Sequence, residues 1–282
     1  MDHARIIFST VSTAGSECIA NRRDISTIIV DEAAQLVEAE SLIILKQSCE
    51  RLCLVGDTRQ LSTTVQSRRV EHHGYRLSMF EQLLDNGWTP CLLDEQYRMH
   101  PKISAWPIRK FYEGKLKDAA NTLSDEYSKF WHADNVCKPL LFFECADGRE
   151  EHDDKHSFAN HMEADIVCSQ LTHWLSIVHN SPGSQMGRPS IGVIAPYTAQ
   201  VALLESKLKD LSAKYSSDIS VKSVDGFQGQ ERDVIIFSAT RSNSAGKIGF
   251  LADHKRLNVA ITRPKFSLSP SFHTDPSLPS YQ

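Results

Sequence analysis

Long hydrophobic runs are missing from this sequence: no uninterrupted apolar stretch reaches the roughly 18 to 20 residues that a membrane-crossing helix needs. The opening MDHARIIFST has neither the basic start nor the extended apolar stretch of a secretory signal. Both absences predict a cytoplasmic or nuclear protein with no membrane partner. A disulfide framework is missing too. The seven cysteines are an odd number, scattered, and without any CxxC spacing, which suits a reducing compartment. Cys49 and Cys53 in CERLC have no matching second pair, so no structural zinc is expected there. The fourth absence is an excess of positive charge. With a formal net charge of −4, a nucleic-acid partner would have to be met by a local groove, because there is no global basic field.

What is present suits a globular protein with two cores: 282 residues, 41% hydrophobic and 23% charged. Strand-like runs recur along it, RIIFSTVS, TIIVDEA, RLCLVGD, PCLLDEQ, PLLFFEC, SIGVIAP, ISVKSV and DVIIFSAT. Between several of them lie stretches with apolar residues at helical spacing, at residues 38–47, 158–175 and 199–211. This alternation predicts an α/β fold of parallel sheets wrapped by helices. Ligands of such sheets sit at the carboxyl ends of the strands. No repeat of solenoid period interrupts the pattern. Residues 147–156, DGREEHDDKH, read as a solvated loop whose histidines lack a metal-ligating spacing. Residues 267–282, rich in serine and proline, read as a disordered tail.

The stretch TIIVDEAAQL, residues 27–36, ends a β-branched run in two adjacent acids, Asp31 and Glu32. In phosphoryl transfer a first carboxylate can hold magnesium while a second orients or deprotonates the attacking water. The dipeptide alone would equally serve as an acidic helix start, favoured by the helix dipole. Further on comes LVGDTRQL, a second apolar run that ends in Gly56, Asp57 and Gln60. A polar amide just past a neighbouring parallel strand can reach the same γ-phosphate.

Together DEAAQ, GDTRQL, QYRMHP, VDGFQGQERD and RLNVAITR, in that order, resemble the motor core of superfamily 1 RNA/DNA helicases, the up-frameshift and senataxin-like branch. The likeness extends over nearly the whole chain up to Lys265. It implies two RecA-like parallel-sheet domains, residues 1–90 and 91–266, that use ATP and magnesium to move along single-stranded RNA or DNA. RNA-processing or decay proteins would be its partners. Asp31 resembles the magnesium-holding acid, Glu32 the catalytic base and Gln60 the γ-phosphate sensor. Arg98 in QYRMHP and Arg263 in AITR resemble two arginines that neutralise charge on the transferred phosphate. Glu231 resembles the ribose contact, Tyr97 the aromatic on the nucleotide base, and Gly229 lies in the same nucleotide-binding motif. By residue type alone, each arginine would read as a surface ion pair and Tyr97 as a core residue. Nucleic acid would be gripped through its backbone by STVSTAG, APYTAQ and SVDGFQG. The residues so implied are Thr10, Ser12, Pro196, Tyr197, Ser223 and Asp225.

The chain departs from that pattern in three places. No G-x-x-x-x-G-K-[ST] loop, whose amides wrap a β-phosphate, occurs in it. The first domain is therefore expected to be truncated at its amino-terminal side. Pro264 follows Arg263 and a Ser/Pro segment stands where an apolar strand is usual, so the direction of Arg263 and the closure of the sheet edge are both in question. Ser62 and Thr63 stand where prolines are usual. Two readings follow: an incomplete ATP-driven motor, or a catalytically inactive pseudo-helicase that binds nucleic acid or protein. A metal hydrolase built on the histidines of residues 147–156 would require stoichiometric zinc.

Overall fold

The computed structural model describes residues 4–273 apart from 46–47, 64, 66, 155–156, 182–187, 216 and 244. The chain divides into two compact units, Met1–Leu92 and Leu93–Gln282.

In the first unit, short helices α1 (Val11–Ala14) and α2 (Glu17–Ala20) precede strand β1 (Thr27–Val30). Parallel neighbours need a crossover, and helix α3 (Glu38–Ile44) lies in it, before strand β2 (Arg51–Leu54). The two strands pair with Thr27 opposite Arg51 and Val30 opposite Leu54. Helices α4 (Arg68–His72) and α5 (Met79–Asp85) follow. The start of α5 is fixed by a capping box: Ser78 Oγ accepts from Glu81 N at 3.0 Å, and the Glu81 carboxylate accepts from Ser78 N at 3.2 Å. One face of the strand pair, Ile28, Val30, Leu52 and Leu54, packs on Ala14, Ile19, Leu36, Ile44 and Phe80. The other is open, with Ile29 70% exposed. RIIFSTVS forms no strand. Ile6 and Phe8 are exposed, and a strand needs a neighbour to take up its amides and carbonyls; none of the described strands pairs with them.

The second unit opens with the two-residue strand β3 (Glu95–Gln96), helix α6 (Pro101–Phe111) and strand β4 (Lys117–Asp118), which pairs with β3 in parallel. Strand β5 (Phe143–Glu144) and the antiparallel pair β6 (Glu151–His152) and β7 (Phe158–Ala159) follow. Then the chain alternates: α7 (His161–Asn180), β8 (Ile191–Ala195), α8 (Thr198–Tyr215), β9 (Ile219–Ser223), β10 (Arg232–Ser238), α9 (His254–Ile261) and β11 (Pro264–Phe272). Five of these strands make one parallel sheet in the order β5-β11-β10-β8-β9. Its central strands are buried on both faces, as covered parallel sheets are. Ile191, Val193, Val234 and Ile236 pack on Leu171 and Trp174 of α7 and Leu204 and Leu208 of α8.

The Ser/Pro segment corrects the expectation of a disordered tail. Residues 267–272 form most of β11, inside the sheet, with Ser267, Ser269 and Ser271 buried. The strand missing from the sequence pattern is thus present, with the buried serines alternating with Phe266, Leu268, Pro270 and Phe272. Pro270 is tolerated for a reason of register. Leu268 donates to Pro139 O and accepts from Leu141 N, and Phe272 accepts from Cys145 N. Alternation turns Pro270 toward the same side, so its missing N–H costs no bond to β10. Ser271 Oγ donates to the buried Glu163 carboxylate at 3.1 Å, which also accepts from Thr240 N at 2.9 Å. The rest of the expected tail, 274–282, lies outside the described residues.

Residues 147–154 are also more structured than a solvated loop. Besides β6, they include Glu150, whose carboxylate accepts from Arg241 Nε and Nη2 at 2.7 and 3.0 Å and from Ser242 N at 2.8 Å. Bidentate pairing outweighs the run of charge that suggested a free loop. His156 lies outside the described residues. Among the described residues no helix is long and apolar enough to cross a membrane.

Candidate functional site

Both strands of the first unit run into polar residues at their carboxyl ends, the place where open α/β sheets take ligands. Asp31 and Glu32 follow β1 directly, and both are exposed. Asp57 and Gln60 follow β2 after Val55 and Gly56. Backbone bonds tie the two exits together, Val55 N donating to Val30 O and Ala33 N to Val55 O, each at 2.8 Å. A β-carbon on Gly56 would lie 3.0 Å from the amide nitrogens of both Ala33 and Ala34. Any larger residue here would have to push these backbone amides aside by a few tenths of an ångström.

Glu32 has φ 53 and ψ 38, the left-handed region. For a residue with a side chain this conformation costs about 1 to 3 kcal/mol and is held only where the surroundings impose it, commonly at working sites. Glu32 N donates to Asp31 Oδ1 at 3.0 Å, and Gln35 Nε2 donates to Glu32 Oε2 at 2.9 Å. Gln60 Nε2 donates to Asp57 Oδ2 at 2.9 Å, and Asp57 Oδ1 accepts from Arg59 N at 2.8 Å. The structure therefore brings Asp31 with Glu32, and Gln60 with Asp57, on two adjoining strand ends. The donors are carboxylate oxygens, the ligand type a hard cation such as magnesium prefers. Thr10 and Ser12 are exposed at α1; the Thr10 hydroxyl accepts from Thr13 N at 3.2 Å and so caps that helix.

In the second unit, Arg98 and Glu231 meet. Arg98 Nε donates to Glu231 Oε2 at 2.8 Å and its Nη1 to Thr262 O at 3.1 Å, while Lys265 Nζ lies 2.7 Å from Glu231 Oε1. Lys265 first and then Arg98 hold the Glu231 carboxyl below the usual carboxylate range. Gln96 builds the loop that presents Arg98: its Oε1 accepts from Arg98 N and Met99 N at 3.0 and 2.7 Å, and its Nε2 donates to Met99 O and Asp118 Oδ1. Tyr97 points outward, 63% exposed, while its carbonyl accepts from Asn121 and Tyr127. The Glu95 carboxylate, accepting its hydroxyl at 2.6 Å, raises the Tyr97 phenol above its ordinary value. Gly229 has φ +69 with open space around its absent β-carbon, so glycine serves the backbone angle at this turn.

Two of the expected residues are buried. Arg263 is 2% exposed; its Nε donates to Val259 O at 2.9 Å and its Nη2 to Thr262 Oγ1 at 3.0 Å. A cation there satisfies the carboxyl end of α9. Tyr197 is 5% exposed, its ring edge-to-face with Phe158 and Phe250, its hydroxyl accepting from Arg241 Nη1 and Phe250 N. Pro196 is half-buried, Ser223 Oγ accepts from Gly226 N at 3.2 Å, and Asp225 is exposed with an ion pair to Arg256 at 3.7 Å. Sequence reasoning missed Gln96 and Lys265, although both stand inside or beside motifs it used. Only their bonds reveal their part.

Comparison with known proteins decides the family. The AAA domain family matches residues 75–269, and a second family, likewise described as an AAA domain, matches residues 1–68. The chain is 37% identical over 272 residues to the probable helicase MAGATAMA 3 of Arabidopsis thaliana, covering 95% of this chain and 33% of that protein. The chain belongs to the superfamily 1 helicase family of the up-frameshift/senataxin-like kind. Another member, the regulator of nonsense transcripts 1 of Dictyostelium discoideum, is 38% identical over 270 residues, 94% of this chain and 20% of its own length. The chain thus spans a third or less of these two relatives. Among solved structures, an arterivirus nonstructural protein 10 helicase in complex with DNA aligns with a TM-score of 0.44 at 14% identity, over 89% of this chain and 41% of that one. The α/β architecture with parallel sheets is that of the family's RecA-like domains.

Proposed function

We propose that this chain is part of an ATP-driven motor that moves along single-stranded RNA or DNA. The observation that carries the reading is the placement of Asp31, Glu32 and Gln60 at the carboxyl ends of two adjacent parallel strands, in a chain of the superfamily 1 helicase family. Asp31 would hold magnesium, which when bound supplies positive charge against the phosphates. Glu32 orients the attacking water and takes its proton, and the strain at its backbone fits such a fixed task. Gln60 reads the γ-phosphate. Arg98 meets the transferred phosphate as a planar cation, and to do so it exchanges the Glu231 carboxylate or the Thr262 carbonyl for phosphate oxygens. Glu231, released, contacts the ribose, and Tyr97 covers the base from its exposed position. Arg263 supports Thr262 from inside the unit, a part that fits its burial better than contact with phosphate.

Thr10, Ser12, Pro196, Ser223 and Asp225 with their backbone neighbours contact the strand, largely through phosphates. Tyr197, buried, anchors the segment around Phe250, and its part in gripping the strand is through the backbone of its segment. A relative named for regulating nonsense transcripts favours an RNA track and partners among RNA-processing or decay proteins. A second reading, binding without turnover, is favoured by one observation: no G-x-x-x-x-G-K-[ST] occurs among these 282 residues. Phosphate release with added single strand tests both. Residues 1–282 alone are expected to turn over little ATP, and joined to a segment that carries such a loop they are expected to turn it over in a Glu32-dependent way.

A further inference from the structure

Away from every motif above, the second unit gathers three different metal-ligating side chains. Asp134 and Cys137 stand just after the 3₁₀ turn Phe130–Ala133, and His173 lies on α7. One ligating atom from each, a carboxylate oxygen, a thiol sulfur and an imidazole nitrogen, lies within 4.8 Å of the other two. Asp134 Oδ1 is 3.0 Å from His173 Nε2 and accepts from Val136 N at 2.7 Å and Cys137 N at 3.2 Å. The acid is thus oriented by its own backbone turn before any ion arrives. His173 is equally constrained, next to Trp174 and two residues from Leu171, both packed in the core on a 20-residue helix. The Cys137 thiol is fully buried, whereas the side chains of His173 and Asp134 are 42% and 23% exposed. The cluster is closed on the sulfur side and open to solvent on the other.

We propose that Asp134, Cys137 and His173 bind a zinc ion, with a water molecule in the fourth position. The donor set selects the metal: a sulfur and an imidazole exclude magnesium and calcium, which take oxygen, and a mixed S, N, O set suits zinc. Tetrahedral zinc places its ligand atoms roughly 3.3 to 3.8 Å apart, so the present spacing, 3.0 Å for the Asp134–His173 pair and within 4.8 Å for all three, brackets what the ion needs. Binding replaces the thiol proton with the metal, and that proton leaves to solvent. Zinc here would pin the segment around Asp134 to α7, beside the contact of Trp131 with Trp174, whose rings lie 5.0 Å apart. The site is separate from the oxygen donors proposed for magnesium and stands or falls without reference to ATP turnover.

The test uses the whole chain stripped of metal with a chelator and titrated with zinc, and with cobalt as a coloured substitute. One equivalent of zinc should bind, raise the melting temperature, and be displaced by excess chelator. Cobalt should give a thiolate charge-transfer band. Cys137→Ser should remove that band, and His173→Gln, at a half-exposed side chain that folding tolerates, should weaken metal binding at least 10-fold. Cys91→Ser, at an exposed cysteine, should change neither. Absence of stoichiometric zinc, or a band that survives in both Cys137→Ser and His173→Gln, overturns the proposal.

Discussion

Gly56 shows how a single atom governs the acid pair. Alanine there would press its β-carbon on the Ala33 and Ala34 amides, and because these are backbone atoms the turn that carries Asp31 and Glu32 must shift. Gly56→Ala is expected to lower the stability of the first unit by about 1 to 3 kcal/mol, the usual cost of overpacking, read as a lower urea midpoint. An unchanged midpoint would mean the turn yields freely. The second residue-scale expectation concerns Glu231. Its native pKa is depressed below the ordinary 4.5 by Lys265 and Arg98. Such a group stabilises the fold above its unfolded pKa, and that contribution is lost as pH falls through the depressed native value. At 43% exposure solvent screens the pair, so the effect is small. Glu231→Gln should flatten the loss of stability below pH 4.5, measured by urea unfolding across the acid range; an unaltered slope would remove the ion pair from the energetics. The placing of Asp31, Glu32 and Gln60 beyond two apolar runs was legible in the sequence, because each run ends in its short motif and the two runs pair as parallel strands. The burial of Arg263 and Tyr197 was not, since the partners that enclose them, Val259 and Thr262 for one, Phe158 and Phe250 for the other, are set by tertiary packing.

At the scale of elements, long periodic segments read well. Helices α7 and α8 and strands β8, β9 and β10 lie where apolar spacing put them. Strand β11 did not, because serine and proline are turn formers locally and only a place between two strands makes them a strand. The same context explains RIIFSTVS, β-like in composition but without a paired neighbour. The position of β11 gives a sharp expectation. Deleting residues 267–282 removes Ser267, to which Trp131 Nε1 donates at 3.4 Å, and Leu268, Ser269 and Ser271 from the sheet. The shortened chain should lose cooperative unfolding of the second unit and the near-ultraviolet circular dichroism of its packed tryptophans. A truncated protein as stable as the parent would return these residues to the status of a tail.

For the whole molecule, composition fixed little beyond two cores, and the order of five motifs along the chain carried the family. Residues 1–282 hold Asp31, Glu32, Gln60 and Arg98, the groups proposed for nucleotide chemistry, but no G-x-x-x-x-G-K-[ST] loop. The decisive measurement is phosphate release, with single-stranded RNA or DNA present, by these residues joined to a family segment that bears a G-x-x-x-x-G-K-[ST] loop, compared with the same protein carrying Glu32→Gln. A positioned general base contributes on the order of 10²- to 10⁴-fold. Turnover stimulated by the strand and reduced by that factor in Glu32→Gln is the expected result; equal turnover in the two proteins would contradict the assignment of Glu32 and, with it, the motor reading.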